Sequence, residues 1–171
     1  MEIGYVHVYT GNGKGKTTAA LGLSVRALCA GKKVFIGQFI KGMDYSELKL
    51  IDYFQNLKII QFGRDCFIKN KPTEEDIKLA QIGLKISKDA IFSKEYDAVI
   101  LDEINIALHY KLISVDQVLD LIKNKPVNVE LILTGRYAPK ELIDVADLVT
   151  EMVEVKHYFS KGVLARLGIE Y

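Results

Sequence analysis

Short apolar runs alternate along the chain with longer segments in which apolar residues recur every three or four positions. Runs of strand length predict six strands, at residues 3–9, 33–39, 57–62, 98–101, 129–133 and 148–155. Residues 16–30 are predicted to form a helix because apolar residues recur there at helical spacing, at Ala19, Ala20, Leu23, Ala27 and Leu28. Strands that alternate with helices favour an α/β fold, with a mostly parallel sheet covered on both faces.

Two further helix starts are marked by capping residues. Thr73 precedes three acidic residues, which predicts a long helix that ends near Phe92. Ser114 marks the start of another helix. The three prolines lie between predicted elements, at Pro72, Pro126 and Pro139. The least regular segments, residues 41–46 and 63–72, follow strands, where substrates usually meet an α/β sheet.

Length and composition restrict the class of protein. The 171 residues are 49% apolar and 26% charged, so we expect one globular domain over residues 1–171, with residues 156–171 as a C-terminal tail. A net charge of +1 gives no overall attraction to nucleic acid. Without a signal-peptide pattern or an apolar run of about 18 residues, we expect a cytoplasmic protein that binds no membrane. Cys29 and Cys66 are too far apart in sequence to suggest a metal pair, and we expect both to be buried.

A glycine-rich segment lies between the first predicted strand and the first predicted helix. Its residues are Gly11, Asn12, Gly13, Lys14, Gly15, Lys16, Thr17 and Thr18. This order is typical of a P-loop, in which backbone N–H groups and a helix N-terminus hold phosphate, the lysine supplies a mobile charge and the threonine hydroxyl binds magnesium. Thr10 stands where the pattern has its first glycine, although the spacing to Lys16 is kept. The segment predicts a RecA-like P-loop fold of three layers.

Two acidic residues, Asp102 and Glu103, follow the apolar strand predicted at residues 98–101. On its own such a pair usually marks a helix start. Beside a P-loop it favours a Walker B segment, whose carboxylates hold Mg²⁺ or Mn²⁺ close to the Thr17 hydroxyl, directly or through water.

An arginine, Arg136, follows the strand predicted at residues 129–133, where it could reach a phosphate oxygen or simply lie on the surface. The three histidines, His7, His109 and His157, share no metal-ligand spacing, which favours structural or surface roles.

Several segments together resemble the ATP:corrinoid adenosyltransferases of the CobA/CobO/BtuR type, in register over essentially the whole chain. They are residues 11–18, 38–42, Glu47, 101–105, 133–136, and in the tail 155–157, 162–163, 165 and 168–171. The resemblance implies that the cobalt of a cob(I)alamin-type corrinoid attacks C5′ of ATP and releases triphosphate. It also implies a homodimer and a reductase that supplies electrons.

The motifs and the resemblance together suggest roles for particular residues. We expect Lys16, Thr17 and Glu103 to be catalytic and Thr17, Asp102 and Glu103 to bind the metal ion. Residues 11–18 and Arg136 are expected to bind ATP, and Phe67 to bind the corrinoid. The loops after the second and third strands carry apolar groups that suit a flat macrocycle, namely Met43, Tyr45, Phe62 and Phe67. We therefore expect the corrinoid there, with Phe67 against its lower face unless Phe67 caps the core.

The sequence departs from the family in two places. The family has an arm before the first strand, and its Phe-Thr-Trp segment corresponds here to residues 67–69, Phe-Ile-Lys, in a chain without tryptophan. Three explanations of these departures stay open: corrinoid recognition uses other residues, it uses a partner subunit, or the acceptor is a different molecule. A P-loop ATPase or kinase that acts at the γ-phosphate, and a non-catalytic ATP-binding protein, are the alternative functions. A GTPase is disfavoured because Asn124-Lys125-Pro126-Val127 lacks the aspartate of the guanine-reading pattern.

Overall fold

A computed structural model describes residues 2–65 and 71–171 of the chain. Over these residues it contains a six-stranded sheet in the order β3-β2-β4-β5-β1-β6, in which each neighbouring pair is parallel. The strands are β1 Val6–Thr10, β2 Val34–Phe39, β3 Leu57–Phe62, β4 Ala98–Asp102, β5 Glu130–Thr134 and β6 Leu148–Glu151. The predicted α/β fold with a parallel sheet is confirmed.

The helices are α1 Lys16–Cys29, α2 Glu74–Phe92, α3 Ile104–His109, α4 Val115–Asn124 and α5 Lys140–Val145, with 3-10 turns at Ser46–Asp52 and Tyr158–Lys161. Helices α1, α2 and α4 begin where the sequence predicts, and α3 and α5 are additional helices for which no start was predicted. Thr73 caps α2 in a capping box with Asp76, and Ser114 caps α4 in the same way with Gln117. None of the described helices is both long and apolar enough to cross a membrane.

The core lies on both faces of the sheet because successive strand residues point to opposite sides. In β4, Val99 and Leu101 belong to one buried cluster, with residues of α2, α3 and α4. Ala98 and Ile100 belong to a second cluster, which packs against α1. This arrangement gives the three layers that the sequence predicts, and it fixes the carboxyl ends of β1, β4 and β5 beside one another.

Three sequence predictions were wrong in detail. β1 begins at Val6 rather than at residue 3, because Gly4 N donates instead to the carbonyl of Val127. β6 ends at Glu151 rather than at residue 155, because the backbone then turns along residues 11–18. Cys29 is exposed, since it follows the buried Leu28 and points to another side of α1. Cys66 lies outside the described residues.

Candidate active site at the carboxyl edge of the sheet

The phosphate loop, residues 11–18, joins the carboxyl end of β1 to the first turn of α1. Gly13 N donates a hydrogen bond of 2.6 Å to the carbonyl of Met152, in the segment after β6. Gly11 and Gly15 have φ angles of +93° and +122°, which residues with a side chain rarely adopt. A Cβ atom at Gly11 would also lie 2.4 Å from the Met152 carbonyl oxygen. The loop therefore requires glycine at these positions.

Thr10, which stands at the position of the first P-loop glycine, is the last residue of β1. Its side-chain oxygen accepts a hydrogen bond of 3.2 Å from Ala138 N, in the segment after β5. Thr10 thus connects two strand ends, and the departure from the pattern leaves the turn of the loop unaffected.

The side chain of Lys16 folds back over the phosphate loop. Its ammonium donates to the carbonyls of Gly11 at 2.8 Å and Gly13 at 2.7 Å, and only 7% of the residue is exposed. Burial lowers the pKa of Lys16, and Arg136 lowers it further, whereas the charge of Glu103 opposes the shift. These bonds hold a positive charge at the centre of the loop.

Asp102 is buried and accepts hydrogen bonds at both carboxylate oxygens. The hydroxyls of Thr17 and Thr134 donate to Oδ1 at 2.9 Å and 2.6 Å. The ammonium of Lys41 donates to Oδ2 at 2.8 Å, and the Gln38 amide lies 3.4 Å from the same oxygen. Because Thr17 gives its hydrogen to Asp102, its lone pairs are left free for another ligand.

Glu103 lies beside this cluster and lines the adjoining cavity. Its φ angle is +59°, in the left-handed region, and its backbone N–H donates to Thr134 Oγ1 at 3.0 Å. Burial, and then the charge of Asp102, raise the pKa of Glu103 to about 7, against the opposing effect of Lys41 and other cations. The left-handed backbone conformation of Glu103 thus accompanies the placement of its side chain in the wall of the cavity.

Lys41 is the main residue of the site to which sequence reasoning gave no role. Burial disfavours its charge, but Asp102, together with Glu47 at 3.6 Å, outweighs this cost and raises the pKa of Lys41. The sequence does contain a signal for this contact. Lys41 comes just after β2, Asp102 is the last residue of β4, and neighbouring parallel strands end at the same edge of the sheet. Thr134 and Gln38 were likewise given no role.

Arg136 is exposed and lines the cavity, as its position after β5 suggests. The turn before it is held by Asn105, whose side-chain amide donates to the carbonyl of Gly135 at 3.0 Å. This bond connects the segment after β4 to the segment after β5.

The cavity between these groups has a volume of about 630 Å³. Its lining consists of the phosphate loop from Gly13 to Thr18, Leu21, Lys41, Tyr45, Ser46, Glu47, Glu103, Ile106, Arg136 and residues of the C-terminal tail. Gly11 and Asn12 belong to the loop but are not part of this lining. The volume is in the usual range for small-molecule sites.

The residues expected to bind the corrinoid are only partly brought together. Tyr45 lines the cavity, but Phe62 is in the core, where its ring packs 5.4 Å from that of Phe39. Its proposed contact with a corrinoid was therefore wrong, because the inward positions of β3 are covered by α2. Phe67 lies outside the described residues.

Two of the histidines have structural contacts and one reaches the cavity. His7 lies 2.7 Å from Glu130, and the ring of His109 lies 4.4 Å from that of Tyr137. His157 lines the cavity, and its ring nitrogen accepts from Phe159 N. Within residues 2–65 and 71–171, no three His, Cys, Asp or Glu side chains form a cluster that could hold a metal ion.

Comparison with known proteins identifies the family. A family model described as "ATP:corrinoid adenosyltransferase BtuR/CobO/CobP" matches residues 2–171. The chain belongs to this family. Corrinoid adenosyltransferases from Sinorhizobium sp, Pseudomonas aeruginosa and Escherichia coli K12 are 38%, 35% and 34% identical to it, each over 99% of this chain. The alignments cover 81%, 85% and 87% of those proteins.

In this adenosyltransferase the segments that carried the resemblance border the same cavity. The phosphate loop, Glu103, Arg136 and residues 168–171 all contribute to its lining, although they are far apart in sequence. The fold thus brings together most of the residues that were proposed to bind ATP.

Proposed function

We propose that this protein transfers the 5′-deoxyadenosyl group of ATP to the cobalt of a reduced corrinoid and releases triphosphate. The observation that carries the proposal is the cavity at the phosphate loop, which is lined by four cationic side chains, those of Lys14, Lys16, Lys41 and Arg136. Triphosphate is a highly charged leaving group, and fixed positive charges stabilise it as the bond breaks.

The electron balance of this reaction explains what the protein must do. Co(I) supplies both electrons of the new cobalt–carbon bond, and the pair of the broken C5′–O bond leaves on the triphosphate. No proton is transferred, so the site needs no general base. Its residues must instead align the two substrates, exclude water and neutralise the leaving group.

The residues around Thr17 fit a magnesium ion that is shared with the nucleotide. Mg²⁺ is usually held by one or two protein oxygens together with substrate phosphates. The Thr17 hydroxyl and the Glu103 carboxylate would hold the ion, while Asp102, whose oxygens already accept from other side chains, would orient Thr17. When bound, the ion adds positive charge next to the phosphates.

The alternative functions are less well supported. An ATPase or kinase would act at the γ-phosphate and release phosphate or a phosphorylated acceptor, and a binding protein would release neither. The relatives are named corrinoid adenosyltransferases, and neither alternative function agrees with that name.

The family resemblance supports three further proposals: the chain forms one domain, it assembles as a homodimer, and it receives electrons from a reductase.

An anaerobic assay with ATP, magnesium and chemically reduced cobalamin tests the proposed function. We expect the absorption spectrum of a cobalt–alkyl product and one triphosphate released for each product formed. Release of inorganic phosphate that does not depend on the corrinoid would instead support an enzyme that acts at the γ-phosphate.

The variant Glu103→Gln is expected to weaken the apparent affinity for magnesium about tenfold, because the amide keeps the shape but loses the charge that attracts a hard cation. In the wild type, apparent affinity should fall as the pH decreases through about 7, where this carboxyl becomes protonated. Magnesium titrations at pH 6 and pH 8 should show a smaller pH effect in the variant. The control is Glu75→Gln, an exposed carboxylate on α2. Identical titrations for Glu103→Gln and wild type would remove Glu103 from the metal site.

Phe67 provides a test of corrinoid binding that depends on the sequence alone. The variant Phe67→Ala is expected to slow the adenosylation of cobalamin more than that of a corrinoid without a lower ligand, because only cobalamin requires that ligand to be displaced. The ratio of kcat/KM for the two substrates measures the effect. Equal losses would mean that Phe67 has only a packing role.

A further inference from the structure

The C-terminal tail, residues 156–171, folds back over the phosphate loop and is attached to it through Lys14. Because of this position the same segment is named the C-terminal strap. The Lys14 ammonium donates to the Tyr158 hydroxyl and to the Ile169 carbonyl, each at 3.0 Å, and to Glu170 Oε1 at 2.6 Å. In a second attachment, the Ser46 hydroxyl donates to the backbone oxygen of Tyr171 at 3.0 Å. The strap is therefore fixed both to the loop and to the segment after β2.

Glu170 is the centre of the first attachment. Its carboxylate accepts hydrogen bonds from Arg166, Lys14 and the Tyr158 hydroxyl, and these bonds hold its pKa well below the usual range. The Arg166 backbone N–H adds a further bond of 2.7 Å. Glu170 thus stays ionised and keeps the Lys14 ammonium directed toward the strap.

Burial of apolar side chains contributes little to holding the strap. Leu164 and Leu167 are 75% and 74% exposed, and Phe159 is 70% exposed. Among the described residues, the side chains of Lys14 and Ser46 donate hydrogen bonds to the strap, at Tyr158, Ile169, Glu170 and Tyr171. Loss of one of these attachments should therefore loosen the strap without unfolding the core.

The strap supplies both apolar and polar residues to the wall of the cavity. His157, Ala165, Gly168, Ile169, Glu170 and Tyr171 line it from this segment, and Leu21 lines it from α1, one turn after Thr17. The Glu170 carboxylate is paired with Lys14, so the strap's remaining contribution to the wall is largely apolar. The cationic groups of the same cavity match a triphosphate, whereas a purine and a ribose require apolar surface with a few polar groups. The cavity thus offers one set of groups for each part of ATP.

We infer that the C-terminal strap binds the adenosine part of ATP, and that the contact between Lys14 and Glu170 holds it in the binding position. This inference depends on the proposed function, since it assumes that ATP occupies the cavity. It gives the strap a role in distinguishing ATP from other triphosphates, which the phosphate loop alone does not provide.

Binding of ATP and of inorganic tripolyphosphate to the variant Glu170→Gln tests the inference. Measured by calorimetry without corrinoid, the Kd for ATP should rise about tenfold, because the wall against adenosine is loosened. The Kd for tripolyphosphate should stay the same or fall, because a negative charge near the loop is removed and Lys14 is released. Tripolyphosphate binding also shows that the variant is folded.

Two further variants make the test specific. Glu154→Gln removes a carboxylate from an exposed residue just before the strap that is outside the lining of this cavity, and should leave both Kd values unchanged. Ser46→Ala removes the second attachment and should weaken ATP binding in the same direction as Glu170→Gln. Equal changes for ATP and tripolyphosphate in Glu170→Gln would overturn the inference. Failure of the wild type to adenosylate a corrinoid would contradict the proposed function but not this difference in binding.

Discussion

Replacing Asp102 with Asn is expected to lower the free energy of unfolding by about 3 kcal/mol and to lower kcat/KM about 100-fold. Asp102 is 1% exposed, and it balances the charge of Lys41, whose side chain is also largely buried. Without that carboxylate, the Lys41 ammonium keeps weaker partners, namely Glu47 at 3.6 Å and the Tyr45 ring, whose centroid is 4.9 Å away. Activity falls as well because the Thr17 hydroxyl loses the charged acceptor that orients it.

A double variant separates the two effects of Asp102. Asp102→Asn combined with Lys41→Met removes both members of the buried pair, and such replacements are often neutral for stability. We expect the double variant to recover most of the lost unfolding free energy but not the lost activity, since neither charge is restored. Urea unfolding and kcat/KM at saturating magnesium measure the two quantities. If Asp102→Asn unfolds like the wild type, the pair does not contribute to stability.

The sheet and the helices on its faces could be predicted because their signals are local. Buried strands of a parallel sheet appear as continuous apolar runs, and capping residues mark where α2 and α4 begin. The strand ends were less predictable, since β6 stops where Met152 bonds to both Thr10 and Gly13. Those contacts join segments that are about 140 positions apart in sequence, so no local pattern could indicate them.

The positions of most site residues could also be predicted, because a P-loop and an acidic strand end have fixed places in such a fold. Lys41 was missed for a physical reason. A single lysine after a strand is usually solvated, and only the burial of Asp102 beside it makes the ion pair significant. The C-terminal strap resembles the family in sequence, but its position over the phosphate loop depends on the contact between Lys14 and Glu170, which are distant in sequence.

Replacing Lys16 with Ala is expected to lower kcat/KM by a factor of about 10² to 10³, with the fold intact. The Lys16 ammonium lies within 2.8 Å of two carbonyls of the phosphate loop, so it is already placed where phosphate oxygens bind. Burial also disfavours the charged form of Lys16 and lowers its pKa. An anionic ligand beside the ammonium would favour the charged form again. We therefore expect Lys16→Ala to slow the release of triphosphate more than it weakens the binding of adenosine.

The effect of Lys16→Ala can be measured against Lys16→Arg, which keeps the charge but replaces the compact ammonium with a planar group. We expect Lys16→Arg to retain more activity than Lys16→Ala, but less than the wild type, because a guanidinium fits poorly between the carbonyls of Gly11 and Gly13. Thermal unfolding should change little in either variant, since water can replace the lost bonds to these carbonyls. Unchanged kcat/KM in a folded Lys16→Ala variant would mean that the phosphate loop does not hold the leaving group, and the cationic role would then fall to Lys41 and Arg136.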